Sequence, residues 1–234
     1  ASCASETSAR EKAGALGIEV TTDNRKVAEF ADILFLAVKP NLFESVIPQI
    51  AEAVTEDMCV VSIAAGQTIA AIEKLFGKKI HLVRAMPNTP ALVGEAMSAL
   101  SPNDAVTDEE LSEVKALFES FGKAEIVPER LMDAVIGVSG SSYVYLFIEA
   151  MADAAVADGM PRAQAYKFAA QSVLGAAKMV LATGQHPGEL KDAVCSPGGT
   201  TIEGVAALEE AGLRRAVIAG QRACVKKSKE MSEQ

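Results

Sequence analysis

The segment Ser196-Pro197-Gly198-Gly199-Thr200-Thr201, which leads into an apolar helical stretch, carries the sharpest chemical signal in the chain. Glycines followed by hydroxyl residues at a helix start leave several backbone N–H groups bare at the positive end of the helix dipole. Such a turn suits a small anion, a carboxylate or a phosphate. An N-cap with a glycine turn produces similar letters, but two adjacent glycines are more than a cap requires. Nothing upstream resembles the Lys-bearing phosphate loop of a nucleotide hydrolase. Three other segments could meet a ligand: Ala37-Val38-Lys39-Pro40, Ala64-Ala65-Gly66 and Met86-Pro87-Asn88-Thr89-Pro90. Small residues there let a flat ring or a phosphate approach the backbone, and prolines fix the aim of neighbouring amides and carbonyls. Lys39 reads either as the partner of a ligand anion or as the partner of a surface carboxylate.

Other chemistries lack their residues. No Gly-x-Gly-x-x-Gly and no Gly-x-Ser-x-Gly occurs, and Ser139 in Gly137-Val138-Ser139-Gly140 is not a nucleophile elbow. His81 reads as a packed strand residue and His186, before Pro187, as a loop residue. Cys3, Cys59, Cys195 and Cys224 stand far apart without CxxC spacing, so no metal site is expected and reduced thiols of a cytoplasmic protein are. Cys195 reads as a small buried residue. With 22 Lys+Arg against 31 Asp+Glu the net charge is −9, and no basic block could neutralise phosphates, so no nucleic-acid partner is expected. No uninterrupted apolar run is long enough to cross a bilayer, so no membrane partner is expected either. Residues 1–10 lack the apolar stretch of a signal peptide. Half of the 234 residues are hydrophobic, enough for one large domain or two modest ones in a soluble, intracellular protein.

The elements that must position these loops change character near residue 128. Before it, Ile33–Val38, Val60–Ala64 and Ile80–Ala85 read as strands apolar on both faces, with weaker strands at Ala96–Leu100 and Glu125–Val127. Helical stretches alternate with them: Ser8–Gly17, Asn24–Ala31, Leu42–Ala53, Ile69–Phe76 and Asp108–Phe121. The pattern predicts an α/β domain over 1–128 with a parallel, doubly wound sheet, its three loops gathered at the carboxyl edge where such sheets bind ligands. From residue 129 to 234 the strand signal is gone. Helices are expected at Tyr143–Asp158, at Arg162–Thr183 with Gly184 as its C-cap, at Thr201–Glu210 and at Leu213–Lys229. Several are apolar on most sides, and so few helices cannot cover one another. The expected cover is a second copy of the chain.

These motifs, in this order, resemble pyrroline-5-carboxylate reductase. The resemblance runs from about residue 20 almost to the C-terminus. It rests on Ala37–Pro40, Ser62-Ile63-Ala64-Ala65-Gly66, Arg84–Pro90, His186-Pro187-Gly188-Glu189-Leu190-Lys191-Asp192 and Cys195–Ile202. It implies a Rossmann-type N-terminal domain and an all-α C-terminal domain that makes a homodimer by interlocking helices, with dimers often assembled into larger rings. It implies reduction of 1-pyrroline-5-carboxylate to L-proline, the last step of proline biosynthesis, by NADPH, with NADH as the alternative. Carried over by position, Ala37, Val38, Lys39, Ala64, Ala65 and Gly66 line the cofactor, Asn24 reaches its adenosine half and Ser2 lies by the ribose. Glu129, Ser196, Gly198, Gly199, Thr200 and Thr201 match the substrate side, and Thr201 is the expected catalytic residue.

The chain departs from the family in two places. The family opens with a strand and a glycine-rich loop, a unit of about 30 residues, whereas this sequence starts at what corresponds to the second strand. The family's Ser-Gly-Ser-x-Pro-Ala-Tyr also becomes Ser139-Gly140-Ser141-Ser142-Tyr143, without the Pro-Ala pair. Competing readings are a related imine or β-hydroxyacid reductase, for which Lys178 stands where a general acid would be sought, and a non-catalytic dimerisation module. The hydroxyl-rich Ser2–Ser8 stretch, in which Glu6 is the one acidic residue, points to NADPH.

Overall fold

Five segments fold as strands of one sheet in the order β1-β2-β3-β4-β5: β1 Ile33–Leu36, β2 Cys59–Ser62, β3 His81–Met86, β4 Ala96–Pro102 and β5 Gly122–Ile126. The computed structural model describes residues 1–232. They form two compact units, Ala1–Ser139 together with the chain from Cys224 onward, and Gly140–Ala223.

In the first unit β1, β2 and β3 pair in parallel, with Leu36 beside Ser62 and Ser62 beside Arg84. Five helices accompany the sheet: α1 Glu6–Leu16, α2 Asn24–Phe30, α3 Phe43–Ile50, α4 Ile69–Phe76 and α5 Asp108–Glu119, followed by α6 Met132–Val138. Val60 and Leu82 pack into a core with Phe43, Ile47 and Ile72. Val61 and Val83, their neighbours along the strands, pack on the opposite face with Val114 and Phe118. Both faces are covered, which is why the strands read as continuous apolar runs. The pairing of β3 with β4 is antiparallel, a correction to the all-parallel sheet expected. The link Pro87–Glu95 explains it, because a parallel return needs a crossover of about a dozen residues or more. The crossover through α5 then brings β5 back parallel to β4.

Local chemistry sets the helix ends. Ser5 caps α1 by accepting the Ser8 amide, and Gly17 closes it in the left-handed conformation. Thr68 caps α4 through the Ala71 amide. Thr107 and Glu110 form a reciprocal capping box at the start of α5. Helix α3 is shorter than the expected Leu42–Ala53 at both ends: Pro40–Leu42 forms a separate 3-10 turn ahead of it, and the chain turns at residues 51–53, where the Ala53 amide donates to the Ile50 carbonyl. The last strand begins at Gly122 rather than Glu125; a Cβ at Gly122 would lie 2.3 Å from the Ala96 carbonyl oxygen, so only glycine starts this pairing.

The second unit is helical: α7 Ser142–Ala157, α8 Arg162–Thr183, α9 Pro187–Val194, α10 Thr200–Glu210 and the first part of α11 Leu213–Ser232, whose last turns belong to the first unit. Helices α7 and α8 touch through alanines, with Ala152, Ala165 and Ala169 buried. Large apolar side chains elsewhere stay exposed, among them Leu146 (67 %), Phe168 (64 %) and Leu181 (84 %). The stretch Glu129–Ala157 is long and apolar enough for a membrane span, against the expectation from uninterrupted runs. It is broken at Ser139–Ser141, however, and its longest helix, the 16-residue α7, reaches only ~24 Å against a hydrocarbon thickness of about 30 Å.

Candidate active site

Parallel order brings the ends of β1, β2 and β3 to one edge of the sheet. The Ile63 amide donates to the Leu36 carbonyl at 3.3 Å, so Ala37–Lys39 and Ala64–Gly66 leave the sheet side by side. Lys39 is exposed and makes no ion pair among the described residues. Gly66 has φ +76°, and a Cβ there would come within 3.1 Å of Met231 Cβ. The Ala64 side chain is buried, and nothing bulky projects from the loop. Bare backbone beside an exposed lysine could take a nicotinamide dinucleotide, Lys39 being able to hold a phosphate and the alanines to admit a flat ring.

Ser2 and Asn24, 22 residues apart, are joined by a hydrogen bond of 2.7 Å from Ser2 Oγ to Asn24 Oδ1. Asn24 Nδ2 donates in turn to Gln49 Oε1 at 2.9 Å. Ser2 bridges in parallel to Thr21, so the chain start is fixed beside the α2 N-terminus.

Glu129 also belongs to the first unit. Its Oε1 accepts from Arg84 Nη1 at 3.0 Å and from the Ile69 amide at 2.8 Å. The carboxylate thus sits at the positive end of α4, the helix that follows the Ala64–Gly66 loop, and neutralises an arginine only 5 % exposed. Arg84 escaped the site reading, and Asn88 entered it only as part of the Met86–Pro90 loop. Arg84 interrupts an apolar strand, and a charge at a core position demands a partner. Asn88 cross-links its loop: Oδ1 accepts the Met97 amide at 2.9 Å and Nδ2 donates to the Ser139 carbonyl at 3.2 Å.

In the second unit the turn Ser196–Gly199 enters α10. Gly198 has φ +67°, a conformation that favours glycine. Gly199 is the N-cap residue, its amide donating to the Ser196 carbonyl at 3.0 Å, and no side chain caps the helix. The first-turn amides of Thr200 and Thr201 therefore lack helical partners and face an exposed turn. His186 lies in the loop before Pro187, as expected, and caps α9 from there, its Nδ1 accepting the Gly188 amide at 3.0 Å. Cys195 is half-buried rather than buried. His81, on β3, is also only half-buried, with Nδ1 2.7 Å from Glu110 Oε1. Lys178 stands exposed on α8 without an ion pair among the described residues.

A family model described as pyrroline-5-carboxylate reductase dimerisation matches residues 129–231, and one described as NADP oxidoreductase coenzyme F420-dependent matches residues 1–66. The chain is 53 % identical over 219 residues to pyrroline-5-carboxylate reductase of Escherichia coli, covering 93 % of this chain and 81 % of that one. A solved pyrroline-5-carboxylate reductase from Coxiella burnetii matches with a TM-score of 0.91 at 34 % identity, over 100 % of this chain and 88 % of that one. Pyrroline carboxylate reductase of Plasmodium falciparum, solved with NADP bound, matches at 0.86 and 33 %, over 92 % and 82 %. The dimerisation match spans the helices whose apolar sides a single chain leaves open, so the protein is a homo-oligomer and a second copy supplies the cover. By sequence, by structure and by both halves of its architecture, the chain belongs to the pyrroline-5-carboxylate reductase family.

Proposed function

We propose that this chain reduces the C=N bond of 1-pyrroline-5-carboxylate to give L-proline by gripping the substrate carboxylate on the amides of Gly198, Thr200 and Thr201, with the Gly199 amide holding the turn through the Ser196 carbonyl. The observation that carries the assignment is the uncapped α10 N-terminus, where two glycines with separate structural reasons lead into first-turn amides that no side chain caps. The Ser196 and Thr200 hydroxyls flank the same anion. The Thr201 hydroxyl hydrogen-bonds the ring nitrogen and so fixes which carbon faces the reductant. Bound NAD(P)H supplies the hydride equivalent. Proton transfer asks little of the protein, because an imine nitrogen takes its proton from solvent and the exposed turn gives water access. Positioning is then the main catalytic contribution, in keeping with the absence of a histidine or cysteine from this turn.

The cofactor side comprises Ala37, Val38, Lys39, Ala64, Ala65 and Gly66, with Ser2 and Asn24 towards the ribose and adenosine. Glu129 is assigned to the substrate side; its Oε1, which accepts from Arg84 and from the Ile69 amide, fixes the carboxylate in place. NADPH is the preferred reductant: Glu6, the acidic residue nearest the chain start, accepts from Thr22 Oγ1 at 3.0 Å rather than standing free for a ribose. The Plasmodium relative was solved with NADP. We further assign the protein to the cytoplasm and its dimers to a larger ring.

Initial rates with pyrroline-5-carboxylate and each reduced nucleotide test this reading, and a clear NADH preference would overturn the cofactor assignment. Thr201→Ala is expected to lower kcat by about tenfold, the cost of one transition-state hydrogen bond of ~1.5 kcal/mol. Turnover at the parent rate in that variant removes Thr201 from the mechanism.

A further inference from the structure

We infer that the last turns of α11 form a strap that sets the Ala64–Gly66 loop, making Ser228 and Met231 positioning residues for the nicotinamide cofactor. The inference rests on the reading of that loop as a cofactor contact. All the contacts lie within the first unit. Ser228 is 6 % exposed and donates from Oγ to Asp133 Oδ1 at 2.6 Å, which ties α11 to α6. One turn earlier, Cys224 Sγ lies 3.9 Å from the Ile136 carbonyl oxygen, on the same pair of helices.

Met231, three residues after Ser228 and on the same helix face, lies against Gly66. A Cβ built on Gly66 would stand 3.1 Å from Met231 Cβ and 3.6 Å from its carbonyl carbon and Cε. A side chain at residue 66 would make this packing tight enough to push Met231 back by a few tenths of an ångström. A glycine at φ +76° has more conformations to lose than any other residue when a ligand orders its loop. A helix end pressed on its Cα removes that freedom beforehand, so less binding energy is spent on ordering the loop. Met231 itself is 40 % exposed and contributes little to the core, which suits a role in holding the loop better than one in holding the fold.

Met231→Ala and Ser228→Ala in the full-length protein test the strap. Two readouts do not depend on turnover: hydrogen exchange of residues 63–68 without nucleotide, and the NADPH dissociation constant from nicotinamide fluorescence. Expected are faster exchange in that segment and an NADPH Kd raised about fourfold, the effect of one lost methylene of packing. The kcat and the KM for pyrroline-5-carboxylate should stay within about twofold, because only cofactor binding is loosened. Ser228→Thr, which keeps the hydroxyl, should restore the parent values. Unchanged exchange and unchanged Kd in both alanine variants overturn the strap. Ala65→Leu separates the underlying reading: NADPH binding at parent strength in that variant shows that the loop does not touch cofactor, and the inference falls with it.

Discussion

Arg84, buried within β3, donates from Nη1 to Oε1 of Glu129, 45 residues further along the chain, at 3.0 Å. The same oxygen receives the first amide of α4, so one carboxylate joins the sheet, the helix behind the Ala64–Gly66 loop and the segment that begins the family's dimerisation match.

Removing the acid should therefore cost more than a surface salt bridge. Glu129→Ala leaves a buried guanidinium and a helix amide unpaired, and a loss of about 3 kcal/mol is expected. Urea unfolding at fixed protein concentration measures it, since an oligomer's stability depends on concentration. Arg84→Met with Glu129→Leu should recover most of the loss, because the hydrophobic pair leaves no buried charge. A single variant as stable as the parent would show that the pair carries no weight.

A second carboxylate gives stability a pH signature. Burial alone would push the Glu110 carboxyl up, but hydrogen bonds from the Thr107 amide, from His81 and from the Thr107 hydroxyl outweigh it and hold the group below its ordinary 4.5. A depressed folded value means stability that is present above the unfolded value and lost as pH falls through the folded one. Glu110→Gln should thus cost about 1 kcal/mol at pH 7. The difference from the parent should begin to shrink below pH 4.5. An offset that stays constant from pH 7 to about pH 3 would contradict this.

Much of this architecture is written in local pattern. Helices Ile69–Phe76 and Arg162–Thr183 match their apolar and capping signals end to end, and Gly184 caps where expected. The gathering of three loops at one edge follows from the parallel order of β1 to β3 alone. Strand direction is harder: β4 has the same apolar pattern either way round, and only the short Pro87–Glu95 link betrays the reversal. The glycine turn before α10 is visible because its two glycines stand together. Contacts between distant residues leave no local trace. Arg84 advertises a need for a partner without saying which acid meets it, and nothing in Ala64-Ala65-Gly66 points to Met231.

The cysteines should differ sharply in reactivity. Burial, with Glu110 and Glu113 adding to it, pushes the Cys59 thiol up to about 12. Cys59 is 1 % exposed, whereas Cys3, Cys195 and Cys224 are each half-buried. Iodoacetamide on the native protein at pH 8 should modify the latter three and spare Cys59 until the chain unfolds, because alkylation needs an accessible thiolate. Peptide mapping by mass spectrometry reads the sites, and early labelling of Cys59 would contradict its burial on β2.

The two glycines before α10 should fail for different reasons. Gly198 sits at φ +67°, so Gly198→Ala strains the backbone by about 1 kcal/mol wherever the neighbouring side chains go. Gly199 has an ordinary φ of −83°, but a Cβ there would lie 2.4 Å from Ser196 Oγ and 3.2 Å from the Ser196 carbonyl oxygen. Gly199→Ala therefore displaces the serine hydroxyl before it disturbs the helix amides. Both substitutions should raise the KM for pyrroline-5-carboxylate while leaving the NADPH Kd alone. Adding Ser196→Ala should relieve the Gly199 variant in part and do nothing for the Gly198 variant, since a shorter side chain removes a clash but not a left-handed φ. A double-mutant cycle on the substrate KM isolates the coupling. Equal rescue of both glycine variants, or of neither, would show that Ser196 does not pack against Gly199 as described.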